Sequence, residues 1–226
     1  MNIKAILIDI DNTLLDFTQS AKQAAEKTAK KLNVILPENY FPVFNEVNDR
    51  LWELLEVAEI TKQDIYNRRW PEIFEILGIN ADGKVFEEEF RNEIRDIAIP
   101  VSGAEDLLKY LSSKYPVYAA SNASKERQLY RLKTAGFDKY LKDVFSSEEA
   151  GFEKPAKEFF YFCMEGMEDI SPSEIMVIGD SVNADIIGAK NFGMKAIWFN
   201  FYNETYDSLA FTDYTVTELK DVKNIL

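Results

Sequence analysis

Asp9 and Asp11 stand two residues apart at the exit of an apolar run, Ile3-Lys4-Ala5-Ile6-Leu7-Ile8. Side chains at i and i+2 of an extended segment point the same way, so both carboxylates can face one site. Two like charges that close need a cation, a shared proton or a reaction that uses both. An acidic turn after a strand is the plain alternative, since Asp and Asn are common turn residues. Further polar groups stand at comparable places. Ser121-Asn122 follows Pro116-Val117-Tyr118-Ala119-Ala120, Asp180 follows Ile175-Met176-Val177-Ile178-Gly179, and Lys154 precedes Pro155, which is expected to open a helix through Met164.

The chain contains no histidine and one cysteine, Cys163. Serine–histidine and cysteine–histidine machinery is excluded, as are histidine- and thiolate-based zinc sites. Any metal would be a hard ion held by oxygen, with magnesium the default. Acid–base work falls to carboxylates, lysine or tyrosine.

The elements that must position these groups can be read from periodicity. After Asp16 the strand pattern gives way to four helical segments, centred on Ala21–Leu32, Val47–Ala58, Ile65–Leu77 and Val85–Ile97. Pro100 and Gly103 mark their end, after which strand and helix alternate. Helices are predicted near 107–111, 125–134, 183–191 and 218–225, and strands at 116–120, 144–145, 175–178, 196–199 and 214–216. This predicts an α/β fold, a doubly wound, Rossmann-like parallel sheet core (residues 1–16 and 98–226) with an inserted α-helical domain (17–97). Open sheets of this kind bind ligands at the carboxyl edge, where all the polar strand ends would meet.

A formal charge of −13, from 26 basic and 39 acidic residues, argues against a nucleic acid polymer or an anionic membrane as partner. No apolar stretch reaches membrane-spanning length, and the N-terminus runs straight into a strand, so a cytoplasmic protein is expected. One cysteine allows no intrachain disulfide.

Asp9-x-Asp11-x-Thr13, Ser121-Asn122, Lys154-Pro155 and Gly179-Asp180-Ser181-Val182-Asn183-Ala184-Asp185, in this order, resemble the haloacid dehalogenase-like hydrolase superfamily of aspartate-nucleophile phosphatases. The resemblance implies that Asp9 is the nucleophile, forming an aspartyl-phosphate, and that Asp11 is general acid and then general base. It implies phosphate contacts from Thr13, Ser121, Asn122 and Lys154. A magnesium ion would be held by Asp9, the Asp11 backbone carbonyl and Asp180, with Asp185 either a ligand or the group that orients the metal shell or Lys154. Thr13 could equally pin the turn, and Ser121 alone could be a turn residue. Asn12 stands where that family usually has glycine, and asparagine tolerates the left-handed backbone such a turn needs.

The inserted helices look like that superfamily's helical cap, with Arg68 the first candidate substrate contact. Val47-Asn48-Asp49-Arg50-Leu51-Trp52 and Ile60-Thr61-Lys62 resemble the bacterial pyrimidine 5′-nucleotidases of the superfamily. The expected activity is therefore magnesium-dependent hydrolysis of a small phosphorylated substrate, a nucleoside 5′-monophosphate. Sugar-phosphate phosphatase or phosphomutase activity is the alternative within the superfamily. A phospho-acceptor signalling module is the alternative from another class.

Overall fold

A computed structural model describes residues 2–167, 169–205 and 210–226. The chain divides into two compact units, Met1–Asp16 with Ile99–Leu226, and Phe17–Ala98.

The first unit is built on one parallel sheet. Its strands are β1 (Ala5–Asp9), β2 (Val117–Ser121), β3 (Asp143–Ser146), β4 (Ile175–Gly179), β5 (Lys195–Phe199) and β6 (Tyr214–Val216), in the order β3-β2-β1-β4-β5-β6. β1 is central and every one of its five residues is buried. One face packs Ala5, Leu7, Val177 and Trp198 against Phe159, Phe160 and Ile186. Ile6, Ile8, Met176 and Ile197 alternate to the other face and are buried there too, which is why these strands read as continuous apolar runs. Register pairs Asp9 with Ala120, Ile8 with Ile178 and Ser121 with Ser146, so the polar residues that end β1, β2 and β4 emerge along one edge.

The connecting helices of this unit, whose numbers follow the four of the inserted unit, are α5 (Ala104–Ser112), α6 (Lys125–Thr134), α7 (Ser147–Ala150), α8 (Lys157–Glu165) and α9 (Gly188–Asn191). Three depart from the periodicity. The helix expected to open at Pro155 begins at Lys157, because the Ala156 N–H turns back onto the Glu153 carbonyl and leaves Lys154 and Pro155 in a turn joined by a cis peptide bond. The helix expected over 183–191 starts as a π-helical turn, Val182–Ile187, in which the Ile186 N–H reaches back five residues to Ser181 O at 3.2 Å. The C-terminal helix is a 3₁₀ helix, Leu219–Asn224.

The second unit consists of α1 (Phe17–Leu32), α2 (Tyr40–Glu56), α3 (Lys62–Leu77) and α4 (Gly83–Arg95). Thr61 and Asp64 form a capping box that starts α3, and Asp82 caps α4 by accepting from the Lys84 and Val85 amides. Trp70, Phe44, Phe74, Phe86 and Phe90 make its aromatic core. Inside that core, Arg69 grips both oxygens of Glu87 at 2.6 and 3.1 Å and donates to Asn48 Oδ1 at 3.0 Å, with the Phe90 ring 4.9 Å from its guanidinium. Gly83 is required where α4 meets α3, since a Cβ there would lie 2.5 Å from the Pro71 nitrogen.

Candidate active site

β1 delivers Asp9 to the carboxyl edge of the sheet, 7% exposed. Lys154, 3% exposed, reaches it from the turn before α8, with Nζ 2.6 Å from Asp9 Oδ1 and 2.7 Å from Asp185 Oδ1. A third bond, 3.1 Å to the Ala120 carbonyl, fills the last of the ammonium's three donors. Asp185 sits on the π-helical turn, held by Lys154 and, through Oδ2, by the Ser181 amide at 3.2 Å. Only glycine fits beneath it: a Cβ on Gly179 would fall 2.2 Å from Asp185 Oδ2.

Carboxylate oxygens of Asp9, Asp180 and Asp185 lie within 4.8 Å of one another. Three acids with one lysine cannot all ionise freely in a buried site. Burial above all, with Asp185 and Asp11 adding to it against the pull of Lys154, pushes Asp9 up to about 7. Burial and then the charges of Asp9 and Asp185 push Asp180 well above the usual carboxylate range. Burial works against the Lys154 charge, but Asp185 and Asp9 outweigh it and hold the ammonium well above its ordinary value. An oxygen-only donor set with excess negative charge is the chemistry a hard divalent cation satisfies, and these residues fit one.

The loop after β1 closes on itself through Leu14 N–H and Leu15 N–H to Ile10 O, at 2.9 and 2.8 Å, with Asn12 in the left-handed region at φ 60°. Its side-chain amide donates to the Tyr202 hydroxyl at 2.8 Å. Thr13 makes a contact beyond the two roles open to it: its buried hydroxyl lies 3.3 Å from Asp180 Oδ1 and orients that carboxylate. The Trp198 indole N–H fixes the same residue's carbonyl at 2.9 Å.

Ser121 is 2% exposed, and its Oγ accepts from Ala123 N at 3.1 Å and from Gln128 Nε2 at 2.8 Å. With its lone pairs engaged, the hydroxyl presents its proton. Asn122 does something else. Its side chain takes the Lys154 N–H on Oδ1 at 2.8 Å and gives Nδ2–H to the Lys154 carbonyl at 3.0 Å. Asn122 is thus a two-point clamp on the lysine's backbone.

Asp11, whose side chain is 27% exposed, is held by Arg131 Nη1 at 2.5 Å and Gln128 Nε2 at 2.6 Å. Burial raises its pKa, but the charges of Arg131 and Arg127 more than offset that and leave it below the usual range. Gln128 and Arg131 were not singled out from the sequence. The available signal was the weak apolar face of α6, whose buried residues are Gln128, Arg131 and Leu132. Arg68 lies in the other unit, on α3, half-buried and ion-paired to Glu72 at 2.7 Å.

The family model of the haloacid dehalogenase-like hydrolases matches residues 3–193. The pyrimidine 5′-nucleotidase PynA of Streptococcus pneumoniae is 32% identical, covering 100% of this chain and 98% of its own. The HAD-hydrolase YfnB of Bacillus subtilis is 30% identical over 99% of this chain and 95% of its own length. The pyrimidine 5′-nucleotidase YjjG of Escherichia coli is 26% identical over 98% and 96%. The crystal structure of YfnB bound to magnesium superposes with a TM-score of 0.92, covering 100% of this chain and 99% of that one. A match across both units, joined to this arrangement of strand-end carboxylates, has one meaning: the chain belongs to the haloacid dehalogenase-like hydrolase family, as an enzyme of its phosphatase kind.

Proposed function

We propose that the chain hydrolyses nucleoside 5′-monophosphates, with magnesium, through an aspartyl-phosphate on Asp9. The observation that carries this is the Asp9 carboxylate buried against Lys154 with two further acids around it. Asp9 attacks phosphorus as the bond to the leaving oxygen breaks. Asp11 gives that oxygen a proton and later takes one from water, which attacks phosphorus and frees Asp9. The Ser121 hydroxyl donates to a phosphoryl oxygen, and the charge of Lys154, whose donors stay on Asp9, Asp185 and Ala120, offsets that of the phosphoryl group. Asp185 and Asn122 hold Lys154 in place from its two ends, and Thr13 orients Asp180.

Asp9, Asp180 and the Asp11 backbone carbonyl would hold magnesium, with Asp185 beside them; the ion supplies the positive charge that lets a phosphate dianion enter. That charge is needed. At 4 Å and an effective dielectric near 20, each carboxylate–phosphate charge pair costs roughly 4 kcal/mol. Residues 1–16 and 98–226 are the catalytic core in this reading. Residues 17–97 take the part of a cap, with Arg68 as its first candidate substrate contact.

The nucleotide assignment is supported by the 32% identity to PynA over the whole chain. Phosphate release should be measured from uridine, cytidine and adenosine 5′-monophosphates, glycerol phosphate and glucose 6-phosphate, with and without magnesium. Turnover should need the metal, favour the pyrimidine nucleotides and vanish in Asp9→Asn. An Asp9→Asn protein that still turns over would end the mechanism, and a preference for glucose 6-phosphate would move the substrate class.

A further inference from the structure

Asn12 carries the left-handed backbone of the loop after β1, at φ 60°. That conformation costs an asparagine more than a glycine and persists where the surroundings hold it. The main chain supplies one hold: Asn12 N–H donates to Leu15 O at 2.7 Å. This N–H belongs to the peptide that Asn12 shares with Asp11. In a planar trans peptide the carbonyl points opposite to the N–H, so whatever turns Asn12 also turns the Asp11 carbonyl.

The second hold comes from 190 residues away, where the Tyr202 hydroxyl takes the Asn12 side-chain amide at 2.8 Å. Tyr202 stands on a short turn after β5 that is built to place it. Asn200, 7% exposed, closes the turn by accepting from the Glu204 N–H and donating to the Glu204 carbonyl, both at 2.8 Å. Its own N–H is tied to Val216 O on β6 at 2.8 Å. Phe201 meets the Tyr202 ring edge-on at 4.9 Å. The ring itself is half exposed, so little apolar burial recommends a tyrosine there. β5 also sends the Trp198 indole to the Asp180 carbonyl at 2.9 Å. One strand and the turn after it thus reach both segments whose oxygens would hold the metal, the one with Asp11 and the one with Asp180.

We propose that Tyr202 is a positioning residue for the divalent cation: through Asn12, its hydroxyl fixes the peptide that carries the Asp11 carbonyl. The inference rests on the magnesium site proposed above. Tyr202 touches neither ion nor substrate and acts only through the Asn12 side chain. With the brace in place the carbonyl is aimed before the ion arrives. Without it, binding must first order the loop, and affinity falls by that cost.

Magnesium binding to the metal-stripped protein is measured by isothermal titration calorimetry at neutral pH. The wild type, Tyr202→Phe, Asn12→Gly and the double variant are compared, with Asp180→Asn marking the heat that belongs to the site. Tyr202→Phe keeps the ring and removes the hydroxyl. Its magnesium Kd rises about fivefold or more, the scale of one lost neutral hydrogen bond and short of the roughly 10–100-fold that follows loss of a partner bonded to a ligand itself. Its melting temperature in chelator stays within about 2 °C of the wild type, as for an exposed substitution. The magnesium concentration for half-maximal release of nitrophenolate from p-nitrophenyl phosphate rises with the Kd. In Asn12→Gly the side chain that Tyr202 holds is gone, so adding Tyr202→Phe moves the Kd by less than about twofold.

An unchanged Kd in Tyr202→Phe overturns the proposal, as does an equal loss when the same change is made in Asn12→Gly. A Kd that rises only together with a fall in the melting temperature in chelator marks a structural tyrosine and overturns it too. A wild type that gives no magnesium heat, or one whose heat survives in Asp180→Asn, refutes the magnesium site itself, and the proposal with it.

Discussion

Removing divalent metal should turn the acid cluster into a pH-dependent weakness of the fold, and Asp9 sets the size of the effect. Its carboxyl is carried from 3.8 to about 7 by burial and its acidic neighbours. Between those values the unfolded chain has lost the proton and the folded chain keeps it. The folded state therefore binds more protons, and stability falls as pH rises. At roughly 1.4 kcal/mol for each tenfold change in proton affinity, Asp9 alone removes about 4 kcal/mol across that window. Asp180, raised by the same causes, acts with the same sign. The other two shifted groups act elsewhere. Lys154 is raised, so its contribution is full below about 10.5 and is lost only above that. Asp11 is lowered, so its contribution is lost only as pH falls below about 4.

The assay is thermal or urea unfolding in a chelator from pH 5 to 8, for the wild type and Asp9→Asn. From pH 5 upward about two units of that window remain, so the loss seen is about 3 kcal/mol, roughly 8 °C for a unit of this size. Asp9→Asn puts a neutral amide in the same place, so its slope is shallower and at pH 8 it is the more stable protein. Magnesium at pH 8 restores the wild type and protects it less at pH 5, where a proton competes for the same oxygens. A metal-free wild type whose stability is flat or rises from pH 5 to 8, or an Asp9→Asn protein with an unaltered slope, would refute the reasoning.

Gly179→Ala drives a methyl to 2.2 Å from Asp185 Oδ2, so it should destabilise by up to about 3 kcal/mol and reduce kcat by moving Lys154; unfolding curves and turnover check both. Lys154→Met takes the ammonium from two buried acids and should cost about 3–5 kcal/mol above pH 7 without metal, a loss that shrinks toward pH 5, where Asp9 is protonated with or without the lysine. In the helical unit, Arg69→Met takes the two-point cationic partner from the buried Glu87 and should cost about 3–5 kcal/mol. Adding Glu87→Leu should recover most of that cost, and urea titrations of the single and double variants measure it.

The strands and the acids at their ends were legible because a buried parallel strand is an unbroken apolar run, and the ligand edge lies where the run stops. Asp9, Asp11, Ser121 and Asp180 all follow that rule. The helix boundaries were less so. Proline suits a first turn, yet Pro155 stands outside its helix, because the local pattern does not record which carbonyl Ala156 will find. A π-helical turn is invisible to a count of threes and fours, so the stretch 183–191, which opens within the turn Val182–Ile187, reads as ordinary helix. The clamp made by Asn122 was not legible, because its partner is main chain 32 residues away, which no side-chain pattern announces. Gln128 and Arg131 were missed for another reason. Charged and amide side chains on a helix between strands read as a solvated face, and only the fold shows them to be buried.

The place of β1 in the middle of the sheet bears on how the chain is made. Its five buried residues leave the ribosome well before its neighbours, β2, which begins at Val117, and β4, which begins at Ile175. At about 5–20 residues per second, the strand that carries Asp9 waits on the order of ten to thirty seconds for its second partner. All four helices of the inserted unit emerge in that interval with only nearby contacts to make, the kind that forms fast. The helical unit is thus placed to fold while the first strand of the sheet is still unpaired, and the three acids come together only when β4 arrives.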